Sequence, residues 1–269
     1  SDGISNGDDL VDALDAIDPP SDLPDPDVSE NAAKVLERRY LVRDEAGQVI
    51  ETPRQLFWRV ARTVAKAELK FSAVAEEALE VARDYYTLMS QRMFLPNSPC
   101  LSNAGRGSGM LSACFVLPVT DSVEGIYDAV KATALIQKAG GGTGFSFSTI
   151  RAAGERVDSS GGAGAGPLTF MEVFSKASDS IQQGAFRKGA NMGILRIDHP
   201  DIGDFIVVKD DRSKLTNFNI SVAITDAFIE ALDRDPSAIH EVKDPHTGVW
   251  RPLQKRGRAG ECWTVGELW

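Results

Sequence analysis

The sequence predicts an α/β domain preceded by a helical region, on three observations. From Pro96 onward short β-like runs alternate with helices, an order that lays strands parallel through helical crossovers. Between Ser29 and Leu95, three segments carry helical signals instead. The charge is also uneven: of a net −10, nine aspartates and no lysine or arginine fall in residues 1–28, leaving the other 241 residues at about −1. A stretch so rich in Asp and Pro has little apolar surface to bury, so residues 1–28 are expected to form a largely disordered acidic tail. Its charge argues against nucleic acid as its partner. The expected organisation is this tail, a helical region over 29–95, and the α/β part over 96–269.

Ser29 is the candidate N-cap of "SENAAKVLERRYLV", and Thr52 followed by Pro53 opens "TPRQLFWRVARTVAKAE". Ser and Thr accept from the free N–H groups of a first turn, and Pro has none to satisfy. Leu56, Val60, Val64 and Leu69 give an approximate helical stripe. "AEEALEVARDYYTLMSQRM" supplies the third helix. None of the three carries a chemical motif. Strands are read at "ACFVLPV" (113–119), "GFSFSTI" (144–150), "NMGILRI" (191–197) and "FNISVAIT" (218–225), with helices at roughly 121–139, 167–183, 200–209 and 226–234. "CWTVGELW" ends on what reads as the first turn of another helix. Four strands do not close a barrel, so the chain is expected to be a piece of something larger.

A hydrophobic content of 42% with 25% charged residues is ordinary for a soluble globular protein. No apolar run approaches the roughly 18 residues of a membrane span, and no signal peptide opens the chain, so a cytoplasmic location is expected. Cys100, Cys114 and Cys262 are too few and scattered for a disulfide scaffold. With His199, His240 and His246 they make no metal-ligand spacing, so no metal is expected.

The run Gly140-Gly141-Gly142-Thr143-Gly144 follows a helix and precedes a strand, the reverse of a dinucleotide fingerprint. A plain helix-to-strand turn accounts for such glycines, as does a ligand lying close against bare main chain. Asp121, with Glu124 three residues on, resembles a capping box, and Val123, Ile126, Val130 and Ala134 share one face of the helix that follows. Arg151 and Arg156 precede a glycine-rich loop, and Arg187 and Lys188 stand between glycines. Either these are solvated surface charges, or they pair with phosphate oxygens, as guanidinium groups do bidentately. A lone cysteine heading an apolar strand, as Cys114 does, is ordinarily an inert small hydrophobe.

Taken together, "PNSPCLSNAG" (96–105), "LSACFVLPVTDSVEGI" (111–126), "LIQKAGGGTGFSFSTIR" (135–151), "QGAFRKGANMGILRIDHPDI" (183–202) and "SKLTNFNISVAITD" (213–226) resemble the large subunit of ribonucleotide reductase. The likeness is greatest to the adenosylcobalamin-dependent class II enzymes. It implies a ten-stranded α/β barrel of two five-stranded halves behind a helical region, of which this chain would hold the helical region and most of the first half. In that family a cysteine thiyl radical, generated with adenosylcobalamin, abstracts the ribose 3′ hydrogen. The 2′-hydroxyl then leaves as water while two further cysteines become a disulfide. By resemblance Cys114 is one of that reducing pair, and Ser98, Ala113, Cys114 and Gly142 are substrate contacts. Asp121, Ser122 and Val123 match the ribose-contacting segment of an allosteric site for a deoxynucleoside triphosphate or ATP, and Arg151 matches a phosphate-binding arginine there. Residues 184–190, with Arg187 and Lys188, match the first specificity loop, and 210–217 the second.

Two departures stand out: Asp158 occupies a position where a second phosphate arginine is common, and Cys100 one that is often threonine. The radical cysteine and the second reducing cysteine are expected beyond Trp269, so this chain alone is expected to be inactive. The implied partners are a ribonucleotide, the effector, a thioredoxin-like dithiol, the missing C-terminal half and a second copy in a homodimer. The alternative is a catalytically incomplete, nucleotide-binding regulatory paralogue.

Overall fold

The computed structural model describes residues 19–71, 74–107, 109–157, 161–183 and 187–269, without the side chains of 182–188. They fall into two compact units that meet between Ala113 and Cys114.

The first unit is helical. Ser29 caps α1 (Glu30–Arg39), and Thr52 and Gln55 form a reciprocal capping box ahead of Pro53 in α2 (Pro53–Ala65). A single 3-10 turn (Lys66–Lys70) leads to α3 (Ala75–Ser90). The buried face of α2 is Leu56, Phe57, Val60, Ala61 and Ala65; Leu56 and Val60 are buried as the stripe required, while Val64 is exposed and Ala65 takes its place. Trp58 and Tyr86 join α2 to α3 edge to face, with centroids 6.2 Å apart. A fourth helix, α4 (Ser98–Asn103), seats Pro99, Cys100 and Leu101 in the same core. Arg59 ties α2 to it, donating to the Ala104 carbonyl while pairing in bidentate fashion with Glu51 at 2.7 and 3.0 Å. Residues 96–113, read with the α/β part from sequence, therefore group with the helices.

The expectation of a disordered tail fails over its second part. Residues 1–18 lie outside the described residues, but Pro19–Val28 is a strap held on α2 and α3. Leu23 is buried in the helical core, Tyr86 O–H donates to the Pro24 carbonyl at 2.7 Å, and Asp27 N–H donates to Ser90 O at 3.0 Å. Arg83 and Arg92 pair with Asp22 and Asp27. Composition could not foresee this, because the arginines that neutralise the strap, Arg54, Arg83 and Arg92, are distant in sequence.

The second unit is α/β. Its sheet has the order β1-β2-β5-β6, parallel throughout, with β1 (Cys114–Leu117), β2 (Gly142–Ser146), β5 (Asn191–Arg196) and β6 (Phe218–Ala223). The crossovers are α5 (Val123–Lys138), α6 (Gly166–Asp179) and α7 (Ile202–Val207), as the alternation required, and α8 (Asp226–Arg234) follows β6. Two small antiparallel pairs were not foreseen: β3 (Gln182–Gln183) with β4 (Arg187–Lys188), and β7 (Glu241–Lys243) with β8 (Trp250–Pro252). Thr264 and Glu267 form a capping box on the final turn, α9 (Val265–Leu268).

The helices cover one face of the sheet. Phe145, Phe147, Leu195 and Phe218 pack there against Ile126 of α5, Met171 and Phe174 of α6 and Phe205 of α7, with Phe145 and Phe174 4.6 Å apart. On the other face Cys114, Val116, Ser146, Asn219 and Ser221 are exposed. Parallel sheets are ordinarily covered on both faces, so this one presents an open side. No helix among the described residues is long and apolar enough to cross a membrane.

If apolar burial holds the strap, Leu23→Ala should lower the unfolding free energy by about 2 kcal/mol. Asp25→Ala, at an 88% exposed carboxylate, should change it by no more than about 0.5 kcal/mol. Urea unfolding of both variants checks this; equal losses would mean that charge holds the strap.

Candidate functional site

The glycine run serves two purposes. Helix α5 ends on Gly140 at φ 97°, where Gly140 N–H donates to Gln137 O and Gly141 N–H to Ile136 O, both at 3.0 Å. This is the hydrogen-bond pattern of a left-handed helix stop, and glycine adopts that conformation at least cost. Strand β2 then begins at Gly142, two residues before the sequence reading placed it. Gly142 lies opposite Cys114 in the β1–β2 register, so the half-buried glycine and the exposed, free thiol sit side by side where both strands begin. Ala113, half-buried, precedes the thiol directly. Ser98 belongs to the helical unit, where its Oγ accepts from Tyr40 O–H at 3.2 Å.

Behind this corner is a buried polar cluster that the sequence did not announce. Gln137, in the last turn of α5, is fully buried; its Nε2 donates to Asn191 Oδ1 at 2.9 Å and to Thr143 Oγ1 at 3.2 Å. Thr143 O–H donates to the same Asn191 Oδ1 at 2.9 Å, and Asn191 Nδ2 to Ser178 Oγ at 2.8 Å. The main chain continues the cluster: Thr143 N–H donates to Ala190 O, and Asn191 N–H to Asn217 O. Gln137 Oε1 is buried without a hydrogen-bond partner among the described residues, a state that costs about 1–3 kcal/mol. It lies so close to Gly189 that any Cβ there would overlap it. In sequence, a glutamine between Ile136 and Lys138 looks like any surface residue of a last turn.

The segment expected to hold an effector is assembled differently from its sequence reading. Ser122 caps α5, accepting from Gly125 N–H at 3.0 Å, which corrects the assignment of that role to Asp121. The Asp121 carboxylate is taken by Arg151 instead, from Nε at 2.8 Å and from the backbone N–H at 3.3 Å. Asp121 and Arg151, 30 residues apart, therefore share one ion pair at the C-terminal ends of β1 and β2. Val123 is 69% exposed, so the inward face of α5 is Ile126, Ala129, Thr133 and Gln137 rather than the stripe read from Val123.

The structure places Arg187 and Lys188 in β4, their backbones paired with Gln183 and Gln182; their side chains, residues 184–186 and Asp158 lie outside the described set. Residues 210–217 form a loop in which Leu215, buried, has φ 47°. Lys209 Nζ clamps its exit, donating to Phe218 O at 2.5 Å and Leu215 O at 3.3 Å.

A second cluster joins the segment after Arg151 to the β7–β8 hairpin. Ala152 N–H donates to Glu155 Oε2 at 3.2 Å and Ala153 N–H to Asp201 Oδ2 at 2.9 Å. Burial, and then the facing Asp244 carboxyl, push Glu155 up to about 7. Burial also acts to raise Asp244, but hydrogen bonds from Glu155, Thr247 and His246 outweigh it and hold this carboxylate at about 2. The neighbouring His199 is kept below its ordinary value, chiefly by burial. A cavity of about 390 Å³ adjoins this cluster, lined by Ser148, Arg196, Asp198, His199, Lys243 and Asp244 among others. Among the described residues no group of three or more His, Cys, Asp or Glu is placed to hold a metal ion.

Known proteins match both units. The family model described as "Ribonucleotide reductase, all-alpha domain" matches residues 27–109, and "Ribonucleotide reductase, barrel domain" matches 112–256. A protein of Thermoplasma acidophilum named vitamin B12-dependent ribonucleoside-diphosphate reductase is 41% identical over 89% of this chain and 38% of its own length. One of the same name from Mycobacterium tuberculosis is 42% identical over 81% of this chain and 31% of its own. The ribonucleoside-diphosphate reductase subunit alpha of Helicobacter pylori is 30% identical over 79% and 26%. The chain thus spans well under half the length of these curated relatives.

The carboxyl pair gives this unit a pH dependence. Because the folded Glu155 is raised from 4.5 to about 7, its stabilising contribution is complete below pH 4.5 and is lost as pH rises toward 7. Thermal melts at pH 5 and pH 8 should therefore show wild type losing up to about 3 kcal/mol more than Glu155→Gln over that interval. Parallel losses in the two proteins would refute a raised Glu155.

Proposed function

The chain belongs to the ribonucleotide reductase large-chain family, and from that premise we propose that it carries one wall of a substrate site and an effector site for the reduction of ribonucleotides. The observation that carries the reading is the pairing of Cys114 with Gly142: an accessible thiol directly beside open main chain. A ribose phosphate approaching that corner meets no side chain at Gly142 and finds a reductant next to it. The substrate class is a ribonucleoside diphosphate, on the names of the relatives. In the proposed reaction the ribose 2′-hydroxyl leaves as water and hydrogen replaces it on carbon. The two electrons come from two thiols, Cys114 and a second that this reading assigns to neither Cys100 nor Cys262. Burial pushes the Cys100 thiol up, which suits a packing role and not exchange. A dithiol of the thioredoxin kind would return the disulfide to thiols.

The proposed effector site is the Asp121–Ser122–Val123 segment with Arg151. An Asp carboxylate can accept from ribose hydroxyls and an arginine can pair with phosphate. In the structure these two groups hold each other, so a nucleotide would have to bridge or exchange that ion pair. The names of the relatives point to adenosylcobalamin, which supplies a radical by homolysis of its cobalt–carbon bond. Neither of two described cavities, of about 390 and 310 Å³, has room for a corrin ring; Arg196, Asp198, Lys243 and Asp244 line the first, and the second mixes Val207, Leu253 and Trp263 with Lys255, Arg256 and Arg258, so no residue here is assigned to that group. The whole enzyme is proposed to work as a dimer with the remaining part of the barrel present.

Two measurements test the reading. A deoxynucleoside triphosphate at about a hundred times its dissociation constant should stabilise the chain by about 2.7 kcal/mol, and Arg151→Ala should weaken that binding about tenfold or more. With the rest of the barrel, adenosylcobalamin, a dithiol and a ribonucleoside diphosphate supplied, deoxyribonucleotide should form, and Cys114→Ser should stop it while leaving the effector's thermal shift intact. Effector binding without product after assembly would leave a regulatory protein; no binding and no product would end the proposal.

A further inference from the structure

We infer that Glu155 is a positioning residue for Arg151 at the proposed effector site. It holds the main chain beside that arginine only while its proton bridges to the Asp244 carboxylate, so nucleotide affinity falls as pH rises. This rests on the proposed function and adds a regulation of the same site. Arg151 is held on both sides through its backbone neighbours. Before it, the Ile150 carbonyl accepts from His199 Nε2 at 2.8 Å. After it, Ala152 N–H donates to Glu155 Oε2 at 3.2 Å and Ala153 N–H to Asp201 Oδ2 at 2.9 Å. Three titratable side chains thus fix the backbone from which the Arg151 guanidinium reaches Asp121.

Glu155 differs from the other two. A carbonyl can only accept, so His199 carries its hydrogen on Nε2, while Nδ1 accepts from Asp201 N–H at 3.0 Å. Neither His199 nor Asp201 leaves a buried polar atom without a partner among the described residues, but Glu155 Oε1 is buried with none. The Arg251 guanidinium stands 3.8 Å from it, beyond a hydrogen bond. What meets Glu155 instead is the Asp244 carboxyl. Asp244 Oδ1 already accepts from Thr247 N–H at 2.7 Å and His246 N–H at 2.9 Å. Asp244 is therefore the charged partner, and the hydrogen between the two belongs to Glu155. Two carboxyls in contact attract with one proton between them and repel with none. Burial sharpens that repulsion: the Glu155 side chain is 16% exposed and Asp244 is buried. No nearby cation replaces the proton, since Lys243 lies over the Trp250 ring and Arg156 is exposed. The proton is lost in the neutral range, because Glu155 is pushed up to about 7. The hold at Ala152 then weakens one residue from Arg151.

Titration calorimetry on the full chain between pH 6 and pH 8, with each deoxynucleoside triphosphate as probe, tests this. From pH 6 to pH 8 wild type should lose about fivefold more affinity than Glu155→Gln. The amide of that variant keeps a hydrogen toward Asp244 at every pH, and the ligand's own phosphate titration is common to both proteins. At pH 7.5 wild type should also take up more protons on binding than the variant, read as a heat that depends on the buffer. Asp244→Asn, whose amide can donate to an ionised Glu155, should be as insensitive to pH as Glu155→Gln and serves if that variant does not fold. Equal pH profiles and equal proton uptake in wild type and variants overturn the inference and leave the proposed function standing. No binding of any probe to wild type at pH 6 overturns both.

Discussion

The triangle of hydrogen bonds among Gln137, Thr143 and Asn191 is the constraint on which the second unit turns. Each side chain comes from a different element: the end of α5, the start of β2 and the start of β5. Buried polar groups are costly unless paired, so the three elements must meet in this geometry or leave several groups unsatisfied. The cluster fixes where α5 stops relative to the strands it connects, and thereby where the left-handed turn at Gly140 delivers the chain into Gly142. An all-apolar junction could have packed as tightly while tolerating a slip of register. A hydrogen-bonded one specifies it, at the cost of the idle Gln137 Oε1.

Register decides what the sheet presents. In β1 the alternation that turns Phe115 and Leu117 toward the helices turns Cys114 and Val116 to the open side, and Val116 is 87% exposed there. A slip of one residue would bury the thiol among phenylalanines and expose a phenyl ring. The parallel pairing Cys114↔Gly142 is therefore a product of the same apolar pattern that builds the core. The open face and the two sheet edges, β1 and β6, have the character of half a closed structure, because parallel strands left bare on one side lose most of their reason to pair.

Elsewhere charge does what apolar packing cannot. Arg151 with Asp121, and Glu155 with Asp244, tie the loop after β2 to the start of α5 and to the β7–β8 hairpin. In the helical unit, the buried Arg59–Glu51 pair and the arginines over the strap do the same for α4 and for residues 19–28. Each contact spans parts of the chain that share no local pattern.

The sequence by itself determined the parallel α/β order, four strands, the crossover helices, the caps at Ser29 and Thr52, and the family. These are local signals: apolar period, capping chemistry and runs of motif that a reader of residues can see. It also marked Cys114 and Gly142 as partners through their motifs. Only the tertiary structure decided that Ser122 and not Asp121 caps α5, that Asp121 is held by Arg151, that Pro19–Val28 is a strap, and that Gln137 is buried at a junction of three segments. The reason is physical. A carboxylate, an arginine or a glutamine reads the same in sequence whether solvent or a distant residue satisfies it, and the choice is made only when the fold brings that residue within hydrogen-bond reach.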